Sequence, residues 1–442
     1  MKHTLLYISA GLVLAWTHPV QAQQTYTLKS CLETGLENNY ALRLTRNDEQ
    51  VSKNNATLAN AGALPTLALS GSYTGSVDDT DTKLRTGDVN TVNGAFDQTM
   101  NVGVNLNWTI FDGFNITSEY KRLKELERQG ETNTRIAVED LIANITAEYY
   151  NYVQHKIRLK NFRYAVSLSK ERLRIVEERY HIGNFSRLDY QQAKVDFNAD
   201  SAQYMRQQES LHTSRIQLNE LMAIADVDQP FTISDTLIDV SANLLFDDLW
   251  NSTEQTNASL IRAAQNNTLA RLDYKKVMSR DYPYLRLNGG YGYTYNDYSN
   301  GNNPQTANRK NLRGTVGVTV GFNLFDGKRK QQRRNARINI ENARLQQEQL
   351  ELSLRADLTN LWQAYQNNLE LLKLERQNLV SARENYEIAM ERYMLGNLSG
   401  IEMREAQKSL LDAEERILSA EYDTKMCEIS LLQISGRVTE YL

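Results

Sequence analysis

Proline is scarce in this chain, with 5 in 442 residues. None falls between Gly113 and Pro230, and none follows Gly327. Proline breaks helix interiors, so both stretches are open to long, uninterrupted helices. There are 2 cysteines, Cys31 and Cys427, near opposite ends of the chain. An oxidising compartment would permit a bridge between them, and two separate buried thiols fit the sequence equally well. The 5 histidines are scattered without metal-ligand spacing. Serine, histidine and aspartate share no recognisable catalytic motif. We therefore expect no enzyme, no metal site and no cofactor. Basic and acidic residues nearly balance, 50 against 54, for a net charge of −4. Such a balance leaves no electrostatic footprint for nucleic acid.

The amino terminus reads as a signal peptide over residues 1–22. Lys2 supplies the charged start, Leu5 to Trp16 the apolar segment, and Val20-Gln21-Ala22 the small-residue cleavage site. The apolar run is short for a bilayer span. Beyond it, no segment is apolar for 18 residues. An exported chain without an apolar helix is either soluble or a β-barrel, whose signal is alternation over strands of about 10 residues.

One long module occurs twice. The first copy has Leu64-Pro65, a strand-like run, Ile110-Phe111-Asp112-Gly113, a long polar stretch, and Arg179-Tyr180-His181-Ile182-Gly183-Asn184-Phe185-Ser186. The second has Tyr282-Pro283, a strand-like run, Leu324-Phe325-Asp326-Gly327, a long polar stretch, and Arg392-Tyr393-Met394-Leu395-Gly396-Asn397-Leu398-Ser399. Pro65 and Pro283 are 218 apart, Asp112 and Asp326 are 214, and Gly183 and Gly396 are 213. An ordered repeat of this kind predicts a pseudo-symmetric fold. We place the repeats at residues 23–227 and 228–442.

Four runs alternate. Leu67, Leu69, Gly71 and Tyr73 oppose small or polar neighbours, as do Val102, Val104, Leu106, Trp108 and Ile110. The third run carries Leu285, Leu287, Tyr291, Tyr293 and Tyr295, and the fourth Val316, Val318, Val320, Phe322 and Leu324. One apolar face and one small or polar face suit lipid outside and water inside. An ordinary half-buried sheet alternates in the same way. Polar connections over residues 77–96 and 299–310, and aromatic residues toward the strand ends, favour the membrane. Four strands cannot close a barrel, since about 8 is the useful minimum. Open edges in lipid leave unpaired backbone groups. Several chains must pool their strands: two would make an eight-stranded barrel and three a twelve-stranded one. The small, polar inward residues slightly favour three.

The proline-free stretches predict helices over 115–180, 187–223, 328–393 and 401–434. The first would be about 100 Å long at 1.5 Å per residue. Apolar residues recur at helical spacing only in narrow seams, such as Ile136, Leu141, Ile145, Tyr149 and Tyr152. Narrow seams suggest coiled-coil-like packing. Shorter helices are expected over 28–61 and 249–278.

In these features the chain resembles the TolC family of outer-membrane efflux channels. The resemblance covers essentially the whole mature chain. It rests on the repeat, the proline before the first and third strands, Phe-Asp-Gly at both strand-to-helix junctions, and Tyr-x-x-Gly-Asn-x-Ser at both helix turns. It implies a mixed α+β membrane protein. A homotrimer would form a twelve-stranded outer-membrane β-barrel, four strands per chain, continued by a long periplasmic α-helical barrel. It implies a passive exit duct of a tripartite efflux pump or type I secretion system, in the outer membrane of a Gram-negative cell. Partners would be a periplasmic adaptor, an inner-membrane transporter and outer-membrane lipid. A structural or adhesive trimer with a coiled-coil stalk is the competing reading. Adhesin stalks place the barrel at the C-terminal end, whereas here strands and helices interleave in both halves.

The resemblance also marks residues. The turns carrying Tyr180, Gly183, Asn184, Ser186, Gly396, Asn397 and Ser399 would be the tips that meet the adaptor. Glu402 and Glu405 match paired acids that narrow the closed periplasmic entrance, and Asp189 and Tyr393 match an aspartate and a tyrosine that link helices in the closed state. At Leu398 the chain departs from an arginine that helps hold that entrance shut. Local physics offers simpler roles. Gly183 and Gly396 fit helix C-terminal caps. Ser186 with Asp189, and Ser399 with Glu402, fit capping boxes. Tyr180 and Tyr393 fit plain hydrophobic packing. Glu402 and Glu405, at i and i+3, share one helix face. A ring of such carboxylates would attract cations, and mutual repulsion would raise some of their pKa values.

Overall fold

The computed structural model describes residues 24–241, 244–298 and 305–442. The signal peptide expected at 1–22, and much of the connection expected at 299–310, lie outside the described residues. In chain order the elements are β1 (Gln24–Tyr26), α1 (Leu28–Asn38), α2 (Tyr40–Asn55), β2 (Thr66–Lys83), β3 (Val89–Asp112), α3 (Asn115–His181) and α4 (Arg187–Leu221). There follow β4 (Phe231–Ile233), α5 (Phe246–Thr256), α6 (Ala258–Ser279), β5 (Tyr284–Asp297), β6 (Asn308–Gly321), α7 (Gly327–Met394) and α8 (Gly400–Ile434), with a final 3₁₀ turn at Val438–Tyr441.

The long helices follow from the absence of proline. α3 has 67 residues and α7 has 68, each about 100 Å at 1.5 Å per residue. Each folds back through a short turn onto a 35-residue partner, α4 or α8. No helix among the described residues is long and apolar enough to cross a membrane.

The two shorter helices expected at 28–61 and 249–278 are each broken in two. The breaks fall at Asn39 and Asn257, 218 residues apart. Each asparagine caps the following helix, accepting from the backbone N–H of Leu42 or Leu260 at 3.1 and 3.0 Å. Each also donates through Nδ2 to a carbonyl at the far end of a long hairpin, Leu221 or Ile434, at 3.0 and 2.8 Å. Asparagine gains little inside a helix and much at its start. Replacing Asn257 with alanine is expected to cost about 1–2 kcal/mol, the upper range for a lost cap. Thermal unfolding followed by circular dichroism checks this, and an unchanged midpoint would reduce Asn257 to a passive linker.

The main sheet is antiparallel, with the order β2-β3-β5-β6. Its register aligns the apolar positions in rows, such as Leu69, Val104, Tyr291 and Gly314, or Leu67, Leu106, Gly289 and Val316. This face lies open to the surroundings: Leu67 is 71% exposed, Leu69 76% and Val316 84%. The opposite face carries Ser70, Asn105, Asn101 and Thr294, joined by hydrogen bonds from Asn105 to Ser70 (3.1 Å) and from Thr294 to Asn101 (2.7 Å). One expectation is corrected here. Residues 77–96 are not a loop, since the ladder between β2 and β3 continues to Lys83 and Val89. Asp78, Thr80, Asp81 and Thr82 of this arm pair their backbone, with an irregularity at Asp79, although their side chains read as loop.

The second sheet, β1 beside β4 in parallel, was not foreseen. Its strands are three residues each, too short for alternation to show. It anchors the principal core, where Leu32, Ile142, Ile145, Tyr149, Val153, Leu218, Phe231 and Ile233 meet around the middle of α3. Fully burying one such side chain contributes roughly 1.5–3 kcal/mol. Cys31 lies in this core, and both cysteines are free thiols.

Nearby, Lys425 and Glu428 form a buried ion pair at 2.7 Å. Glu428 also accepts from the backbone N–H of Ser241 (2.9 Å) and the Tyr441 hydroxyl (2.8 Å). The Lys425 ammonium sits 5.0 Å from the ring centres of both Tyr150 and Tyr441. One carboxylate thereby ties together the C-terminal turn, α8 and the chain leading to α5.

Candidate channel entrance

The ends of the two helical hairpins lie side by side. The Arg179 guanidinium donates to the carbonyl of Met394 at 3.1 Å, bridging one turn to the other. It also lies 5.4 Å from the Phe185 ring centre and 5.7 Å from that of Tyr393. Both turns close alike. Gly183 and Gly396 have φ of +83° and +77°, the left-handed conformation that ends a helix. Asn184 and Asn397 then donate their backbone N–H to Arg179 and Arg392, at 2.8 and 2.9 Å. A Cβ at either glycine would meet nothing within 4 Å, so the demand is on backbone conformation and not on space.

Both capping boxes form. The Ser186 hydroxyl accepts from the Asp189 N–H at 3.2 Å and donates to the Asp189 carboxylate at 2.7 Å. Ser399 and Glu402 repeat the pattern at the same 3.2 and 2.7 Å. Hydrogen bonds from Ser399 hold the Glu402 carboxyl below its ordinary range, with Arg392 adding to the effect. Within one chain Glu402 is therefore a firm anion. Glu402 and Glu405 border one groove of about 370 Å³ together with Arg392 and Leu398. Glu405 also borders a second cleft of about 370 Å³, with Asp189, Tyr393 and Arg404.

The tyrosines pack. Tyr180 stacks on Tyr190, rings 5.6 Å apart and 8° from parallel. Tyr393 is 1% exposed, in a core with Val176, Ala193, Tyr386, Met403 and Leu410. Burial pushes its hydroxyl's pKa up. That hydroxyl makes no hydrogen bond to any described residue, so a bond from Tyr393 to Asp189 is not formed within one chain. Leu398, the position at which the chain departs from the resemblance, packs against the same core.

Sequence reasoning missed a charged network just above the tips. Arg404 of α8 donates to both oxygens of Asp200 on α4, each at 2.7 Å. Its Nε lies 4.0 Å from Asp196, which also binds Arg172 of α3. The Ser169 hydroxyl donates to Asp200 as well. Asp200 and Arg172 are almost wholly enclosed, at 4% and 5% side-chain exposure. Binding to Asp200 raises the Arg404 pKa further. The network fastens α3, α4 and α8 to one another. A signal for it existed: Asp196 and Asp200 lie at i and i+4, and the equivalent positions of the second repeat are Ser409 and Ala413.

No group of residues that could hold a metal occurs among the described residues. Paired helical hairpins set on a membrane-type β domain define a class of outer-membrane channels with a helical barrel. The sequence profile for "outer membrane efflux protein" matches residues 32–223 and 249–437. The chain belongs to that family: it is an outer-membrane efflux channel for tripartite pumps, passive and not an enzyme, with a large periplasmic helical part. It is 23% identical over 328 residues to the outer membrane protein TolC of Vibrio cholerae, covering 71% of each chain. The fold is similar to that of the Campylobacter jejuni CmeC outer membrane channel, at 18% identity, a TM-score of 0.75, and coverage of 93% of this chain and 85% of that one. It is also similar to a membrane protein from Pseudomonas aeruginosa, at 17% identity, a TM-score of 0.76, and coverage of 99% and 97%.

Proposed function

We propose that three copies of this chain assemble into one exit duct. The observation that carries this is the open four-stranded sheet: its apolar face is exposed, and among the described residues β2 and β6 each have one strand neighbour. Unpaired strand edges are untenable in lipid. Three copies pool twelve strands, and a barrel of that size leaves a lumen lined by the small, polar face. The two repeats, residues 23–227 and 228–442, each supply one strand pair and one helical hairpin, so the assembled wall has six similar units.

The hairpin turns at Tyr180, Gly183, Asn184 and Ser186, and at Gly396, Asn397 and Ser399, form the end remote from the sheet. In this reading they contact a periplasmic adaptor, which links the duct to an inner-membrane transporter. Glu402 and Glu405 form the rim of the entrance, with Asp189 and Tyr393 in the first and second hairpins beside them. Six carboxylates near one axis favour cations.

Planar-bilayer recording of the mature protein tests the rim. Wild type is expected to be cation-selective with a small conductance. Glu402→Gln/Glu405→Gln is expected to lose most of that selectivity and to conduct more. Unchanged selectivity in the double variant would move the rim elsewhere and leave Glu402 as a helix cap alone.

A further inference from the structure

The internal repeat carries more than a family resemblance, because it specifies how one chain meets the next. Within the chain, β3 of the first repeat pairs with β5 of the second. In a closed ring, the equivalent junction is β6 of one chain against β2 of its neighbour. Val102, Val104 and Trp108 on β3 correspond to Val316, Val318 and Phe322 in the second repeat, 214 residues on. Leu285, Leu287 and Tyr291 on β5 correspond to Leu67, Leu69 and Tyr73 on β2, 218 residues back. Applying these shifts to the observed register converts one junction into the other.

Thr99 lies opposite Asn296, hydrogen-bonded side chain to side chain at 2.9 Å. The shifted pair is Arg313 opposite Asp78. Asn101 lies opposite Thr294, bonded at 2.7 Å. The shifted pair is Thr315 opposite Ser76. Carried three residues outward, the same register sets Lys310 opposite Asp81. Carried inward, it sets Val318 opposite Tyr73 and Phe322 opposite Leu69. Val318, Phe322 and Leu324 then meet Tyr73, Leu69 and Leu67, Val316 and Val320 meet Gly75 and Gly71, Leu312 meets Asp79, and two basic residues meet two acids. A one-residue slip would turn each strand's lipid face against its neighbour's lumen face.

Three further observations support this seam. Arg313, Lys310, Asp78 and Asp81 are all exposed along the two strand edges. Among the described residues, Arg313, Lys310 and Asp81 have no ion-pair partner within the chain, although the chain forms many ion pairs elsewhere. The third concerns strand length. β3 runs to Asp112, whereas β6 stops at Gly321, five short of the equivalent Asp326. The missing segment includes Phe322, Leu324 and Phe325, exposed at 52%, 90% and 90%. A neighbour's β2 supplies the ladder that β3 obtains from β5.

We propose that β6 of one copy pairs with β2 of the next in this register, sealed at its outer end by Arg313–Asp78 and Lys310–Asp81 ion pairs between chains. The proposal rests on the ring assembly described above. It goes further in fixing the register and the charges that select a second copy of this chain over other strand edges.

Disulfide trapping of the full mature chain tests it. Directly opposite antiparallel residues have Cα atoms about 4.5–5.5 Å apart, within the usual disulfide range. A two-residue slip adds about 6.8 Å along the strand and takes the pair out of reach. Thr315→Cys/Ser76→Cys is expected to give covalent dimers and trimers on mild oxidation, at about 10-fold or more the yield of the slipped pair Thr315→Cys/Thr74→Cys. Each single-cysteine variant serves as control for Cys31 and Cys427. In parallel, Arg313→Glu and Asp78→Arg should each lower the temperature at which the detergent-resistant trimer dissociates, and the double reversal should restore it. Preferential cross-linking of the slipped pair, or a double reversal no better than the singles, overturns the register. A trimer by native mass spectrometry that yields no cross-link at either pair also overturns it. A protein that is not a trimer by native mass overturns the ring assembly itself, which is a separate failure.

Discussion

Asp200→Ala is expected to open the channel. Asp200 accepts both arms of Arg404 and the Ser169 hydroxyl in nearly complete enclosure. Removing it leaves Arg172 and Arg404 with Asp196 as their one shared carboxylate in the network. Breaking a buried, hydrogen-bonded ion pair costs about 3–5 kcal/mol, because the remaining charge is left desolvated. That cost falls on the packing of α8 against α3 and α4, which carry Glu402, Glu405 and Asp189. If the closed arrangement alone contains the network, its loss shifts the closed-to-open balance by roughly 100-fold or more, at tenfold per 1.4 kcal/mol. Single-channel recording should show longer and larger openings, and limited proteolysis should cut faster near the turns at 183 and 396. Asp200→Asn keeps the shape and should fall between wild type and Asp200→Ala. Unchanged conductance with unchanged proteolysis would mean that the network is preserved during opening and moves as a rigid unit. Leu398 cannot form an ion pair, whereas this network ties α8 to α3 and α4 near the tips.

The second large effect is on stability. Glu428→Ala removes a carboxylate that pairs with Lys425 and accepts from Ser241 and Tyr441. Lys425 would remain buried and unpaired, again at about 3–5 kcal/mol. Single mutations of that size are exceptional. The C-terminal turn at Val438–Tyr441 should detach, so carboxypeptidase digestion should accelerate together with a fall in the unfolding midpoint. Glu428→Gln retains hydrogen-bonding capacity and should cost less. Equal destabilisation by glutamine and alanine would show that charge, and not hydrogen bonding, holds the turn.

These two clusters differ from the rest of the molecule in how visible they were. The long helices were legible because absence of proline is a property of the whole stretch, and α3 and α4 begin at Asn115 and Arg187 as expected. The capping boxes were legible because their partners lie three residues apart. The sheet's faces were legible because alternation is local. The breaks at Asn39 and Asn257 were not, since each asparagine's second partner lies about 180 residues away. The network of Arg404 and Asp200 spans 204 residues, and the i, i+4 spacing of Asp196 and Asp200 does not by itself point to a partner on α8. In the outer arm of β2, Asp78, Asp79, Thr80, Asp81 and Thr82 carry turn-like side chains, so the sequence alone suggests a polar connection there. Backbone pairing, which is blind to side chains, overrode them.

The central claim is that three copies share one barrel and one helical tunnel. Single-particle electron microscopy of the mature protein in lipid nanodiscs tests it most directly. The expected image is threefold symmetric, with twelve strands in the bilayer and the Glu402 and Glu405 side chains nearest the axis at the far end. An eight-stranded dimer, or a trimer whose sheets remain separate, would contradict the account.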